Sequence, residues 1–203
     1  ATDRGAFREI VDGWFFALEE ELIESGKLDG SDEAQMAEQT LELMEKRLHE
    51  VSKHNTQFAS VLRAYRQALQ ENDLAISDGL IAWLGGQPNV AASVKRSAKV
   101  KGDVDHFAAL SFLQGLLRVL KDSSYQGLIL VLDEVETLQR MRSDVREKAL
   151  NALRQLIDEI DSGRYPGLFL IITGTPTFFE GPQGIKRLQP LAQRLHTDFD
   201  TDS

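Results

Sequence analysis

The sequence predicts an α/β fold in which a largely helical part precedes a strand–helix–strand unit that carries a parallel sheet. Three observations carry this reading. Apolar residues recur at three-and-four spacing through the first two thirds of the chain, the period of a one-sided helix. A continuous aliphatic run, Leu128 to Leu132, then breaks that period, and a second run, Leu168 to Thr173, follows after one amphipathic stretch.

Taken in order, Phe7, Ile10, Val11, Trp14, Leu18 and Leu22 line one helical face, and Gly26 can end that helix. A second amphipathic stretch covers about Asp32 to Val51, and a third carries Phe58, Val61, Leu62, Tyr65 and Leu69 at the same spacing. A short fourth helix from Leu74 to Leu84 runs into the breaker Gly85-Gly86-Gln87-Pro88. After a polar segment, Phe107, Leu110, Leu113, Leu116, Leu117 and Leu120 predict a fifth helix that delivers the chain to Gly127. Leu128 to Leu132 then reads as a strand buried on both faces, as parallel sheets require. A helix over about Ser143 to Asp161 follows, with Val145, Ala149, Leu153, Ile157 and Ile160 inward and Gly163 and Pro166 closing it. The Leu168 run completes a crossover unit between parallel strands. The expected domain division places a mainly helical part at residues 1–104 and the sheet-bearing core at residues 105–203.

Composition limits what a site here can belong to. A chain of 203 residues holds one domain, or one domain with a helical appendage. A formal net charge of −9 excludes a general coat of phosphate contacts, so any nucleic-acid contact has to be local. The absence of cysteine excludes a disulfide framework and fits a reducing, cytoplasmic setting. No apolar run is long enough to span a membrane. The chain starts at Ala1 rather than Met, which reads as a piece of something longer.

Open α/β sheets place ligands at the carboxyl ends of their strands, and those ends hold Asp133, Glu134 and Thr173. Asp133 alone fits a helix cap, with Glu136 three residues on completing a capping box; that account leaves Glu134 idle. The sharper reading is a Walker B element. There Asp133 supports the Mg²⁺ shell through water, and Glu134 orients or deprotonates the water that attacks ATP. Thr173 then places a hydroxyl toward the γ-phosphate, its alternative being a strand-end hydroxyl in a turn.

The stretches "YQGLILVLDEVETLQRM", "REKALNALRQLIDEI" and "PGLFLIITGTPTFFEGPQGIKRLQPLAQRL" resemble the P-loop ATPases of the BREX phage-defence systems, the BrxC/BrxD-type ATP-binding proteins. The resemblance covers Asp105 to Arg194 most closely, and "ATDRGAFREIVDGW" and "DHFAALSFLQGLLRVL" are compatible with it. It implies an AAA-like P-loop NTPase core that binds ATP with Mg²⁺, assembles as a homo-oligomer and works with other defence proteins. It further implies that Thr173 is a sensor, and that Arg194, on the helix after the Thr173 strand, serves a neighbouring subunit. Without that role, Arg194 is a surface partner for acids such as Asp198. One departure stands against the matches: no Gly-rich loop ending in Lys and Ser or Thr occurs, and Gly85-Gly86-Gln87-Pro88 has no lysine. The chain is therefore expected to hold the hydrolysis half of a site without the loop that grips the phosphates.

Other candidates are weaker. Lys95, Arg96, Lys99 and Lys101 cluster in "VKRSAKVKG", where they could touch DNA phosphates; with no aromatic interleaved, the run reads more simply as a solvated loop. His49, His54, His106 and His196 lack the spacing of a zinc site. Trp14, Phe15 and Phe16 fit a core or a seam better than a base-stacking platform. Two functions stay open: an ATP-hydrolysing motor or switch, and a regulatory scaffold that binds defence partners or DNA without turnover.

Overall fold

The computed structural model describes residues 4–26, 33–104 and 106–195. The fold is mostly helical with one two-stranded parallel sheet. It divides into two compact units, Ala1–Gln126 and Gly127–Ser203.

The first unit is built from α1 (Arg4–Glu24), α2 (Glu33–His54), α3 (Thr56–Gln70), α4 (Leu74–Leu84), α5 (Ala92–Ser97) and α6 (His106–Asp122). Local chemistry sets the starts of two of them. The Asn55 side chain accepts from Phe58 N at 2.8 Å and the Asp73 side chain from Ile76 N at 3.0 Å, each satisfying a backbone donor that a helix start leaves orphaned. The core joins Trp14, Phe58, Tyr65, Trp83 and Phe112, all buried. The Phe112 ring centroid lies 5.7 Å from that of Phe58 and 5.6 Å from that of Trp83. Phe58 presses so close to α6 that a Cβ on Gly115 would sit 2.7 Å from its ring, so that glycine sets how near the two helices come. Phe16, grouped in the sequence with its two buried neighbours, is exposed.

The units divide at Gln126/Gly127, whereas the expected boundary, set where the family resemblance becomes close, was 104/105. The difference is α6, which packs against α1, α2 and α3 and buries Phe112, Leu116, Leu117, Val119 and Leu120 among the helices. The segment expected to be a solvated loop is another difference: it forms α5, whose Val94 is buried.

In the second unit β1 (Leu128–Leu132) and β2 (Leu168–Ile172) pair in parallel, Leu128 opposite Leu168 and Leu132 opposite Ile172. The crossover is α7 (Ser143–Asp161), and the chain continues through α8 (Pro176–Glu180) and α9 (Gln189–Arg194). The buried face of α7 is Arg146, Leu150, Leu153, Leu156 and Ile157. Val145, expected inward, is exposed; the inward stripe runs through Leu150 instead. Leu132, Leu170 and Ile172 meet this stripe together with Phe178, Phe179, Ile185 and Leu191. The strands were expected to be buried on both faces, and the second unit covers only one. Ile129 is 65% exposed and Phe169 63%, with Val131 and Ile171 beside them on the same side of the pleat. Among the described residues of this unit the sheet has two strands and one layer of helix, which leaves alternate strand residues uncovered.

At the C-terminal end of α6 the buried carboxylate of Asp122 accepts from Arg118 Nε at 3.1 Å and lies 3.8 Å from Arg47. Burial pushes its pKa above the ordinary range, against the pull of the two guanidiniums. The folded chain therefore holds this proton to higher pH than the unfolded chain, and the associated stability is lost as pH rises through the folded pKa. Asp122→Asn is expected to become progressively more stable relative to wild type as pH rises above about 4, the ordinary aspartate pKa. Denaturation midpoints of both proteins at a series of rising pH values check this, and a wild-type protein that gains on the variant as pH rises would contradict it.

Candidate functional site

The pleat decides where the acids point. Ile129 and Val131 face away from the helical layer, so two residues further on the alternation brings Asp133 to the same side. Phe169, Ile171 and Thr173 follow the same rule on the neighbouring strand. Backbone pairing continues past the sheet: Thr173 N donates to Leu132 O at 2.9 Å and Val135 N to Thr173 O at 3.2 Å. Asp133 and Thr173 thereby lie level, and the Thr173 hydroxyl donates to Asp133 Oδ1. The same oxygen accepts from Glu134 N at 2.9 Å.

Glu134 sits in the left-handed region at φ 53° and ψ 43°, where a residue with a side chain is strained. It is exposed, and among the described residues no hydrogen bond holds its carboxylate. A capping box does not form. The 3-10 turn Val135–Arg140 begins at Glu134 without a side-chain cap. Glu136 instead reaches across to the segment after β2, where its carboxylate accepts from Thr175 N at 3.2 Å. Helix capping thus accounts for neither Asp133 nor Glu136.

The acid-bearing turn is tied down from two sides. Gln139 Nε2 donates to Thr177 O at 3.0 Å, and Arg146 Nη1 donates to Gln139 O at 2.8 Å. Arg146 is buried, its Nε without a partner among the described residues. Gly174 lets the two strand ends meet: a Cβ there would lie 2.7 Å from Val135 Cγ2 and 3.2 Å from Glu136 Oε2. Sequence reasoning missed Glu136, Gln139 and Arg146 as supports. For Arg146 the signal was present, since Arg146, Leu150, Leu153 and Ile157 share one helical stripe.

Arg194 is not brought to these residues by any described contact. On α9 it donates through Nε to Asp158 of α7 and through Nη1 to Pro190 O at 2.6 Å, while Arg154 holds the other Asp158 oxygen at 2.6 Å. Asp198, its expected surface partner, lies outside the described residues, as does His196. Lys95 and Arg96 lie on α5 and Lys99 and Lys101 on its exit, all in the first unit. His49 is exposed, and for His54 and His106 only the backbone is described. Among the described residues no cluster of three His, Asp or Glu could hold a metal ion. Asp133 can therefore contribute one oxygen arm to a divalent cation's shell but cannot cage it.

A family model described as "BREX system ATP-binding protein BrxC/D" matches residues 1–203, the whole chain. No curated protein matches, and neither does any solved structure.

Because Gly174 has no room for a methyl group, Gly174→Ala is expected to destabilise the second unit by about 1–3 kcal/mol, the usual cost of overpacking a close contact. Chemical denaturation of the full chain measures this. An unchanged midpoint would mean that the strand ends separate at no cost and are not locked together.

Proposed function

The chain belongs to the family of BREX system ATP-binding proteins BrxC/D, and on that premise we propose that it carries the water-activating half of an ATP-hydrolysing site in a motor or switch subunit of anti-phage defence. The observation that carries the reading is the pair of level strand ends: Asp133 bonded to Thr173 across adjacent parallel strands, with Glu134 strained beside them and its carboxylate without a described hydrogen bond.

Each residue has a distinct part. Asp133, an exposed carboxylate with a fixed rotamer, offers an oxygen to the Mg²⁺ shell, and Mg²⁺ when bound supplies neutralising charge for the phosphates. Glu134 keeps its carboxylate free of protein partners, as a group that orients and deprotonates an attacking water must. Thr173 fixes Asp133 with its hydroxyl, so the position of β2 and the orientation of the metal-facing acid are linked. The Gly-rich, lysine-bearing loop that holds phosphates is not in this sequence. The phosphate grip must then come from other residues. Arg194 is assigned to a neighbouring subunit's site, for which it would have to exchange Asp158 for phosphate.

Glu134→Gln is expected to keep ATP binding while turnover falls by on the order of 10² or more. Asp133→Asn should instead raise the Mg²⁺ concentration needed. Steady-state ATPase assays alongside nucleotide-binding measurements decide this. Turnover untouched by Glu134→Gln would mean that Glu134 does not activate the water, and a wild-type protein that binds ATP without turning it over would favour the scaffold reading.

Arg194→Ala should lower ATPase activity with little loss of ATP affinity, and mixing it with Glu134→Gln protein should restore activity through composite sites. If the mixture turns over no faster than the two variants apart, Arg194 acts only as the Asp158 partner.

A further inference from the structure

A second place in the molecule, confined to the first unit and independent of the strand-end acids, has a charge pattern unlike the rest of the chain. Acids make up 32 of the 203 residues, yet none occurs from Gly79 to Gly102, where Lys95, Arg96, Lys99 and Lys101 fall. The structure makes this stretch a fixed ridge. Val94, Ala98 and Val100 are buried. A Cβ on Gly79 of α4 would lie only 2.5 Å from Val94 Cγ2, so α5 sits directly on α4. At the far end Trp83 Nε1 donates to Gly102 O at 3.0 Å.

Anchoring these apolar residues turns the cations outward. Arg96 lies between Val94 and Ala98 on the opposite side of α5, and Lys99 and Lys101 flank Val100; all three are exposed. Lys95 is paired with Asp103 at 3.3 Å. Among the described residues no carboxylate pairs with Arg96, Lys99 or Lys101. Lys99 is also left-handed, with φ 55°. Val100 N bonds back to Lys95 O at 2.9 Å, closing a helix-ending turn in which folding alone prefers Gly or Asn at that position.

We propose that Arg96, Lys99 and Lys101 form a pre-organised seat for the sugar–phosphate backbone of duplex nucleic acid, read without regard to sequence. Three features select this partner. Exposed Ser93, Gln87 and Asn89 lie near the cations in sequence, and such side chains bond phosphate oxygens. The ridge exposes no aromatic side chain, which a single-strand binder uses for stacking. Nor does it expose the large apolar residues with which a membrane-surface helix or a protein hot spot anchors. An acidic chain of net charge −9 can hold a polyanion only where its own acids are missing, and the ridge is such a place.

The test is fluorescence anisotropy of a labelled duplex of arbitrary sequence with the full chain, titrated at several salt concentrations. Three phosphate contacts should give a log–log salt slope of about −2.7. Replacing Arg96, Lys99 and Lys101 together by Gln should weaken low-salt binding at least about tenfold and flatten the slope. A variant of equal charge, Lys46→Gln with Lys148→Gln and Lys186→Gln, should weaken it much less. Circular dichroism confirms that both variants stay folded, as is expected for exposed positions. Four outcomes overturn the proposal: no duplex binding at low salt, equal loss in the charge-matched variant, tighter binding to a single strand, or displacement of the duplex by anionic lipid vesicles through the same three residues. None of them bears on ATP turnover.

Discussion

Parallel pairing of two five-residue strands is the constraint on which the second unit depends. A parallel pair cannot be closed by a hairpin, so the chain has to leave β1, cross over and return, and α7 is that crossover. The helix buries its stripe on one side of the pleat and thereby decides which residues of both strands look the other way. The acids inherit their direction from this choice. Were β1 shifted by one residue, Leu132 would stand opposite Thr173 and Asp133 would face the packed layer. The register that matches Leu132 with Ile172 is thus also what sets the Asp133 carboxylate beside the Thr173 hydroxyl.

Much of this was legible in the sequence because period is a strong signal. α4 was read as Leu74 to Leu84 and has those bounds, and both strands lie where the aliphatic runs put them. The failures have physical reasons. A run such as Leu128–Leu132 says that a strand is apolar on both sides, not that both sides are covered; coverage depends on what else packs there. On α7, Val145 and Arg146 compete for the inward position, and hydropathy favours Val145. The structure buries Arg146 because Gln139 O needs a donor. The Asp133–Glu136 spacing matches a capping box, but Glu134 turns left-handed and sends Glu136 to Thr175 instead. The brief α5 shows little periodicity in six residues, and it stands only because Val94 has Gly79 to rest on.

The first unit is held differently, by rings and by the absence of side chains. Tyr65 shows how its polar groups are managed: its hydroxyl donates to Asp12 at 2.8 Å. Burial and that bond push the phenol's pKa well up, so it stays a donor at any pH the protein meets. Asp122 is the contrasting case, a carboxylate kept in a place that burial makes costly and that two arginines only partly offset.

Strain separates the positions that folding explains from those it does not. Five described residues other than glycine have positive φ: Asn72, Asn89, Lys99, Ser124 and Glu134. Asparagine visits this region readily because its short polar side chain bonds locally, and Ser124 follows the end of α6, where chains commonly turn this way. Lys99 ends α5 in the same kind of turn, but with a long cation where glycine or asparagine is preferred, and Glu134 follows a strand, with no helix end to account for it. Each is long, charged and exposed, and each would hold its turn with less strain as glycine. A strained backbone persists only where its surroundings over-determine it, and here they do. Val100 and Gly102 are pinned on either side of Lys101, and beyond Glu134 both Val135 N and the Glu136 carboxylate are bonded to the segment that follows β2, at Thr173 O and Thr175 N. At each place a locally costly backbone presents one charge to solvent with no described protein partner to neutralise it. That combination gives nothing to stability, and it is what a group needs if it is to meet a phosphate or a water from outside.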